Sequence, residues 1–250
     1  MRWIHAHALR FALAMLPVGL LGGALVGLTT FTDEIAAQAH LSKSAYVLVT
    51  ALQTGVLYTG LLGYIGYVLA GKLNLLRRIS WNTSTILPAV FTGVIGMLFF
   101  LFDYAFFGPK IPQVADSYTK AHYSLLQVVA GVVYGGIVEE IMLRLFMLSL
   151  LAFVLWKLTR GRRDAASSAP WIYVCANIGA ALLFAAGHLP ASYALFGELS
   201  ALIVIRCFLM NGVLGLLFGW LYIKKGLPAA MLAHALTHAI TAVVLVSLVL

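Results

Sequence analysis

The stretch HYSLLQVVAGVVYGGIVEEIMLRLFMLSLLAFVLW, residues 122–156, decides the fold class of this chain. It is almost entirely apolar, and it is longer than the roughly 20 residues that cross the hydrocarbon core of a bilayer. Within it lie Glu139, Glu140 and Arg144. Because a charged side chain at the centre of a membrane helix costs about 2.5–3.5 kcal/mol on insertion scales, such residues are functional candidates. The stretch therefore predicts a long membrane helix that carries chemistry.

The composition of the whole chain agrees with a membrane protein. Its 250 residues are 62% hydrophobic and 10% charged, whereas soluble domains carry about 25% charged residues. We therefore predict an all-α, polytopic transmembrane helix bundle of about seven spans (six to eight are possible), forming one domain over 1–250 with a catalytic core at about 122–249. The other six candidate spans lie near 11–31, 45–70, 86–107, 171–190, 198–222 and 227–249.

The basic residues predict the orientation of the bundle, because loops on the cytoplasmic side carry an excess of Lys and Arg. With the N-terminus in the cytoplasm, eleven of them fall inside and three outside, so the net charge of +8 indicates topology and not nucleic-acid binding. We predict an integral protein of a prokaryotic cytoplasmic membrane. The inner group is Arg2, Arg10, Lys72, Arg77, Arg78, Lys157, Arg160, Arg162, Arg163, Lys224 and Lys225, and the outer group is Lys43, Lys110 and Lys120.

The two glutamates of the fourth span have different expected environments. Glu140 and Arg144 are four residues apart and share a helix face, so they can pair. Glu139 is turned about 100° away and has no obvious cation as a partner on its own helix. A carboxyl group in a low dielectric without a partner holds its proton more tightly, which suits proton transfer near neutral pH. The alternative is that Glu139, Glu140 and Arg144 only tie helices together.

Histidines supply the second group of candidates. His234 and His238 lie one turn apart on one face of the seventh span, and His188 lies in the fifth span, one turn after Phe184. Such residues can bind a metal ion, orient a water molecule or stabilise an oxyanion. A lone histidine in a span is often only hydrogen-bonded across helices, so the pair is the stronger signal.

The sequence does not assign a single role to Arg206 and Asn211 in the sixth span. Arg206 is either a counter-ion or a side chain that reaches for the outer interface. Asn211 belongs to a stripe with Gly215 and Gly219, for which helix packing is the favoured interpretation.

These residues, in order, resemble the three motifs of the CAAX protease and bacteriocin-processing family, also labelled CPBP or Abi. The motifs are Glu139-Glu140-x-x-x-Arg144, Phe184-x-x-x-His188 and His234-x-x-x-His238, and the resemblance covers about residues 130–240. Members are multi-helix intramembrane endopeptidases, and they include the eukaryotic enzyme that removes the last three residues of prenylated proteins. The resemblance implies hydrolysis of a peptide bond in a membrane-associated protein or peptide.

The resemblance also implies roles for individual residues. Glu139 is expected to activate water, His188 and His234 to bind that water and the oxyanion, and Glu140 with Arg144 to support them. The third motif usually ends in Asn, and this chain has His238 there. We expect no cofactor, with zinc on His188, His234 and His238 as the less favoured alternative.

Two other functions compete with the peptidase. Ionisable residues inside spans also mark ion paths of transporters, and a non-catalytic immunity or scaffold protein could keep the same fold. Helix lengths raise one geometric conflict for the peptidase. At 1.5 Å per residue, His188 lies about 26 Å from the cytoplasmic end of its span and His234 about 10 Å from its own. The two histidines can meet only if the fifth helix starts above the membrane, if Pro190 does not end it, or if spans six and seven are misassigned.

Overall fold

A computed structural model describes residues 2–32, 40–77, 80–160 and 170–249. Arg78, Arg162 and Arg163, which the topology prediction used, lie outside these ranges. Within them the chain is helical without β-strands, and seven helices are long and apolar enough to cross a membrane. The predicted all-α bundle of seven spans is confirmed. Spans 1 to 7 are Trp3–Thr30, Lys43–Lys72, Thr83–Phe107, Leu125–Thr159, Pro170–Phe196, Ala201–Lys225 and Leu227–Ser247.

Several spans consist of more than one helical segment. Span 2 combines Lys43–Leu52, Gln53–Leu62 and Gly63–Lys72, and span 3 combines Thr83–Phe102 and Asp103–Phe107. Span 4 combines Leu125–Ala130, Gly131–Glu139, Ile141–Leu148 and Ser149–Arg160, and span 5 combines Pro170–Gly187 and Leu189–Phe196. Span 6 combines Ala201–Cys207, Phe208–Val213 and Leu214–Lys225, and span 7 combines Leu227–Val244 and Leu245–Val249. Span 1 is the helix Arg2–Thr30, and the connection between spans 3 and 4 contains Pro112–Ser117 and Lys120–Tyr123.

Side-chain caps mark where spans 2 and 4 begin. The Ser42 hydroxyl accepts a hydrogen bond from the Ala45 backbone N–H, and the Ser124 hydroxyl accepts one from Gln127. These bonds satisfy amide donors that a helix leaves free at its start. In span 4 the segments 131–139 and 141–148 are wound as π-helix. Such turns are rare in α-helices and often occur at functional sites.

Span 4 crosses the middle of the bundle, and glycines let its neighbours approach closely. A Cβ on Gly22 of span 1 would lie 3.1 Å from the Val138 side chain, and a Cβ on Gly66 of span 2 would lie 2.7 Å from the Leu145 carbonyl oxygen. On the other side of span 4, Gly136 faces the Ala235 backbone of span 7. In lipid the hydrophobic effect does not drive helices together, so the close packing that small residues allow at these crossings stabilises the bundle.

A continuous apolar core closes the bundle at one end. It is built from fully buried residues of spans 4, 5 and 6 with the segment after span 2, among them Leu73, Ile141, Leu148, Ile172 and Leu221. Two hydrogen bonds fasten the connecting backbone to it. The Tyr173 hydroxyl donates to the Leu73 carbonyl, and Arg77 Nε donates to the Ile223 carbonyl.

A buried ion pair fastens the opposite end. Arg206 donates from Nε and Nη2 to the two oxygens of Asp103, at 2.6 Å each, and Asp103 is fully buried. The Tyr118 hydroxyl also donates to Asp103, at 2.7 Å. Burial and the neighbouring carboxylate raise the pKa of Tyr118, so its phenol stays protonated and can donate. Arg206 is thus a counter-ion, and spans 3 and 6 are joined through it.

We expect the Asp103→Asn substitution to destabilise the protein by about 3 kcal/mol, because breaking a buried ion pair strands the remaining charge. The Asp103→Asn/Arg206→Met double variant should lose less free energy of unfolding than the two single variants lose in total. Thermal unfolding of the four proteins in detergent measures this coupling. Additive losses would show that the pair contributes nothing beyond its two side chains.

Candidate active site

One cavity of about 360 Å³ lies between spans 1, 3, 4, 5, 6 and 7. Four of the six predicted site residues line it, and these four lie up to 99 positions apart in the sequence. Glu140 and Arg144 do not line it and lie behind its wall. The polar lining residues deepest in the spans are Glu139, His188, Asn211, His234, Thr237 and His238.

Glu140 holds His234 and Arg144 at the same time. His234 Nδ1 donates to Glu140 Oε1 at 2.8 Å, and Arg144 Nε lies 3.2 Å from Glu140 Oε2. The Glu140 carboxylate is fully buried, so its two oxygens depend on these two partners. The bond to Nδ1 fixes the imidazole and leaves Nε2 for the cavity. The predicted pairing of Glu140 with Arg144 is present, and sequence spacing gave no sign of the bond to His234.

Glu139 occupies the different environment that its position on the helix predicts. It lines the cavity, and its side chain is 16% exposed, whereas that of Glu140 is not exposed at all. Its Oε2 lies 3.9 Å from His234 Nε2, which is beyond direct hydrogen-bonding distance. A water molecule near both atoms would therefore touch a carboxylate and an imidazole nitrogen.

Two aromatic rings connect Arg144 with the histidines. The Arg144 guanidinium carbon lies 5.1 Å from the Phe184 ring centre and 5.4 Å from that of Phe218. Phe218 stacks on His234 at 4.5 Å, and Phe184 meets His188 edge-on at 4.6 Å. The cation, held by Glu140 and by the Gly215 carbonyl, thus orients both imidazoles from behind.

His188 lines the cavity, and Pro190 does not end the fifth span. The helix Pro170–Gly187 is followed directly by Leu189–Phe196, and Pro190 stands in the first turn of that second helix, where a missing N–H is tolerated. His188 Nδ1 donates to the Phe184 carbonyl at 2.9 Å, which leaves Nε2 available. His188 and His234 both line the cavity, although they lie at different distances from the starts of their spans.

Gly131 and Gly135 make room for His238. A Cβ on Gly131 would lie 2.8 Å from His238 Nδ1, and one on Gly135 would lie 2.6 Å from His238 Nε2 and 3.2 Å from His234 Nε2. The two imidazoles stack with their centres 5.2 Å apart. The glycine stripe of span 4 therefore admits the histidine pair of span 7, as well as letting the helices pack.

Sequence reasoning missed several residues of the cavity. Asn211 lines it and donates from Nδ2 to the Cys207 carbonyl, while its stripe partners Gly215 and Gly219 do pack on span 5. His122, Tyr123 and Gln127 line it from the start of span 4 and the connection before it. Polar residues are common in segments that connect helices, so the sequence did not indicate that these three line the site. Among the described residues, no three His, Cys, Asp or Glu side chains are grouped as ligands of one metal ion.

Comparison with known families agrees with this arrangement. Residues 121–240 match the model of the family described as type II CAAX prenyl endopeptidase Rce1-like. The segment 121–240 belongs to the CAAX protease family. The match contains all three motifs and begins just before span 4. No curated protein and no solved structure matches the chain significantly.

The match to this family, in a bundle with seven apolar helices long enough to cross a membrane, indicates an intramembrane protease. The segment that carries the match is also the one that supplies Glu139, His188, His234 and His238 to the cavity. Spans 1 and 3, which precede the match, add Val26, Thr29 and Phe100 to the wall.

We expect Gly135→Ala to lower the proteolytic activity about 10²-fold. A displacement of catalytic groups by about 1 Å has an effect of this size. Its Cβ must push the His238 ring aside, which is cheap in stability because the ring can rotate. Gly212→Ala is the matched control, since its Cβ would lie 3.8 Å from the nearest atom, in Ala185. Turnover and melting temperature are measured for both. Equal activities would contradict the positioning role of Gly135.

Proposed function

We propose that this protein is a glutamate-type intramembrane endopeptidase, in which Glu139 activates water and histidines stabilise the oxyanion. The observation that carries the proposal is the contrast between the two carboxylates. Glu140 is spent on Arg144 and His234, whereas Glu139 faces the cavity within 3.9 Å of His234 Nε2. Two carboxyl groups held in different environments are typical of a site in which one transfers a proton and the other holds neighbouring side chains in place.

The geometry supports the following hydrolysis. A water molecule near Glu139 and His234 gives a proton to Glu139 as its oxygen bonds to the peptide carbonyl carbon. The C–N bond then breaks, and the proton on Glu139 passes to the departing amine. The products are a carboxylic acid and an amine, and Glu139 returns to its starting state. General base catalysis of this kind contributes about 10²–10⁴ in rate.

The imidazoles supply donors for the oxyanion. Glu140 accepts a hydrogen bond from His234 Nδ1, which fixes the ring with Nε2 toward the cavity. Nε2 can donate to the oxyanion when both ring nitrogens carry a proton. For His238 no hydrogen bond to the described residues is formed by the ring, so either nitrogen can serve the reaction. An imidazole N–H can take the place of the Asn amide that the family usually has here.

The closed end of the bundle favours the peptidase over a transporter. A transporter needs a polar path through both leaflets, but beneath Phe218 and Arg144 the described core is apolar and fully buried, with Leu145, Leu148 and Leu221. A site with one open side fits a hydrolase, which takes substrate and releases products on the same side.

We expect Glu139→Gln to abolish cleavage, by about 10³-fold or more, with the melting temperature unchanged. Glu140→Gln should lose activity and also about 3–5 kcal/mol of stability, since it leaves Arg144 buried without a counter-ion. A peptide-cleavage assay in detergent, with thermal unfolding of the same samples, separates the two roles. An active Glu139→Gln variant beside a stable but inactive Glu140→Gln variant would reverse the assignment.

We propose that no metal ion is required, because the described residues offer no preformed set of three ligands. Purified active protein should therefore contain no stoichiometric zinc, and chelators should leave turnover unchanged. Elemental analysis with a chelator titration measures this. Zinc whose removal stops cleavage and whose return restores it would overturn the proposal.

His238→Asn provides a second readout of the same question. If His238 is an oxyanion donor, the Asn amide replaces it and activity stays within about tenfold of the parent, less than the 10²–10³ lost with a whole oxyanion donor. If His238 is a metal ligand, the variant loses metal and activity together. His238→Ala is the control that removes the donor in either case.

A further inference from the structure

The cavity reaches one end of the bundle. His122 and Tyr123, which line it, precede the start of span 4 at Leu125, and His122 is exposed. Gln127 from the first turn of span 4 and Thr29 from the last turn of span 1 line the same part. The lining therefore extends from the middle of the bundle to the connection between spans 3 and 4.

The other end of the cavity is closed. Its floor is formed by Phe218 and His234, which rest on the buried Glu140 and Arg144. Below them the Tyr222 hydroxyl and the Ser149 hydroxyl are hydrogen-bonded at 2.9 Å, and both residues are buried. None of the described residues that connect spans at this end lines the cavity.

Charge separates the two ends of the molecule. The closed end carries the described basic residues Lys72, Arg77, Lys157, Lys224 and Lys225. Among the basic residues whose side chains are described, the open end carries Lys43, Lys110 and Arg206, and Arg206 is neutralised by its ion pair with Asp103. Because Lys and Arg are retained on the cytoplasmic side, the closed end faces the cytoplasm.

We propose that the active site opens to the extracytoplasmic face, and that its substrates are extended peptide segments presented on that face, such as the outer juxtamembrane segment or terminus of a membrane-anchored protein. The proposal rests on the proposed peptidase function for its substrate, and on cavity direction and charge for its side. A C-terminus that remains in the cytoplasm is excluded as a substrate, because the closed floor separates it from Glu139.

The depth of Glu139 sets the length of extended substrate that must enter the cavity. Glu139 lies 14 residues beyond Leu125, which is about 21 Å of helix. An extended chain covers about 3.3 Å per residue, so about six residues must enter to bring a peptide bond to Glu139.

Cysteine labelling tests the side of access without depending on proteolysis. In a protein with Cys175→Ala and Cys207→Ala, single cysteines replace Gln127 at the open end, Asn211 within the cavity and Lys224 at the closed end. A membrane-impermeant thiol reagent is added to intact cells and to inside-out vesicles from the same cells. Reaction in detergent defines full labelling for each variant.

We expect Gln127→Cys and Asn211→Cys to react at least tenfold faster in intact cells, and Lys224→Cys to react at least tenfold faster in inside-out vesicles. Reaction of Asn211→Cys from the cytoplasmic side would overturn the proposal. It would also be overturned if Asn211→Cys reacted in detergent but from neither side of the membrane.

Peptide cleavage tests the substrate class separately. The probe is a mixture of randomised fluorogenic peptides with one acyl anchor, added to vesicles that carry the protein with its open end outward or inward. We expect cleavage only when the open end faces the probe, with Glu139→Gln as the inactive control. Cleavage only at the basic face would overturn the proposal. Cleavage in neither orientation, with Asn211→Cys open to the outside, would count against the peptidase and leave the access route established.

Discussion

The Glu140 carboxylate is the interaction on which the site depends. It is fully buried, and it satisfies Arg144 on its own span and His234 on span 7. A buried charge is tolerated only when it is paired and hydrogen-bonded. Loss of either contact to Glu140 would therefore destabilise the folded protein. The requirement keeps spans 4 and 7 in one register, and that register places Glu139 beside His234.

Arg144 extends this constraint to the remaining walls. Its guanidinium contacts the faces of Phe184 and Phe218, and these rings pack against His188 and His234. Span 5 and span 6 are therefore positioned by the same charge pair that positions span 7. Glu140 and Arg144 are buried behind the wall and paired with each other, while Glu139 and the histidines face the cavity. Groups held in place before the reaction need less rearrangement during it.

The second buried pair, Asp103 with Arg206, acts on the opposite side of the cavity. It ties span 3 to span 6 near the open end and, through Tyr118, holds the connection that leads to His122 and Tyr123. The molecule thus has a rigid, apolar base at its basic end and a polar rim at the other. The direction of the cavity follows from this asymmetry.

The sequence by itself determined the membrane class, the seven spans and the six polar residues to suspect, because apolar length and intramembrane charge are local properties of the chain. It also gave the Glu140–Arg144 pair, which is one helical turn. Only the tertiary structure decided that Glu140 binds His234, that Arg206 binds Asp103, and that Asn211 lines the cavity. These contacts join residues 94 and 103 positions apart or depend on which helix face a neighbour covers. The spacing of residues within one span does not predict such contacts, because they form only when different helices pack against each other in the bilayer.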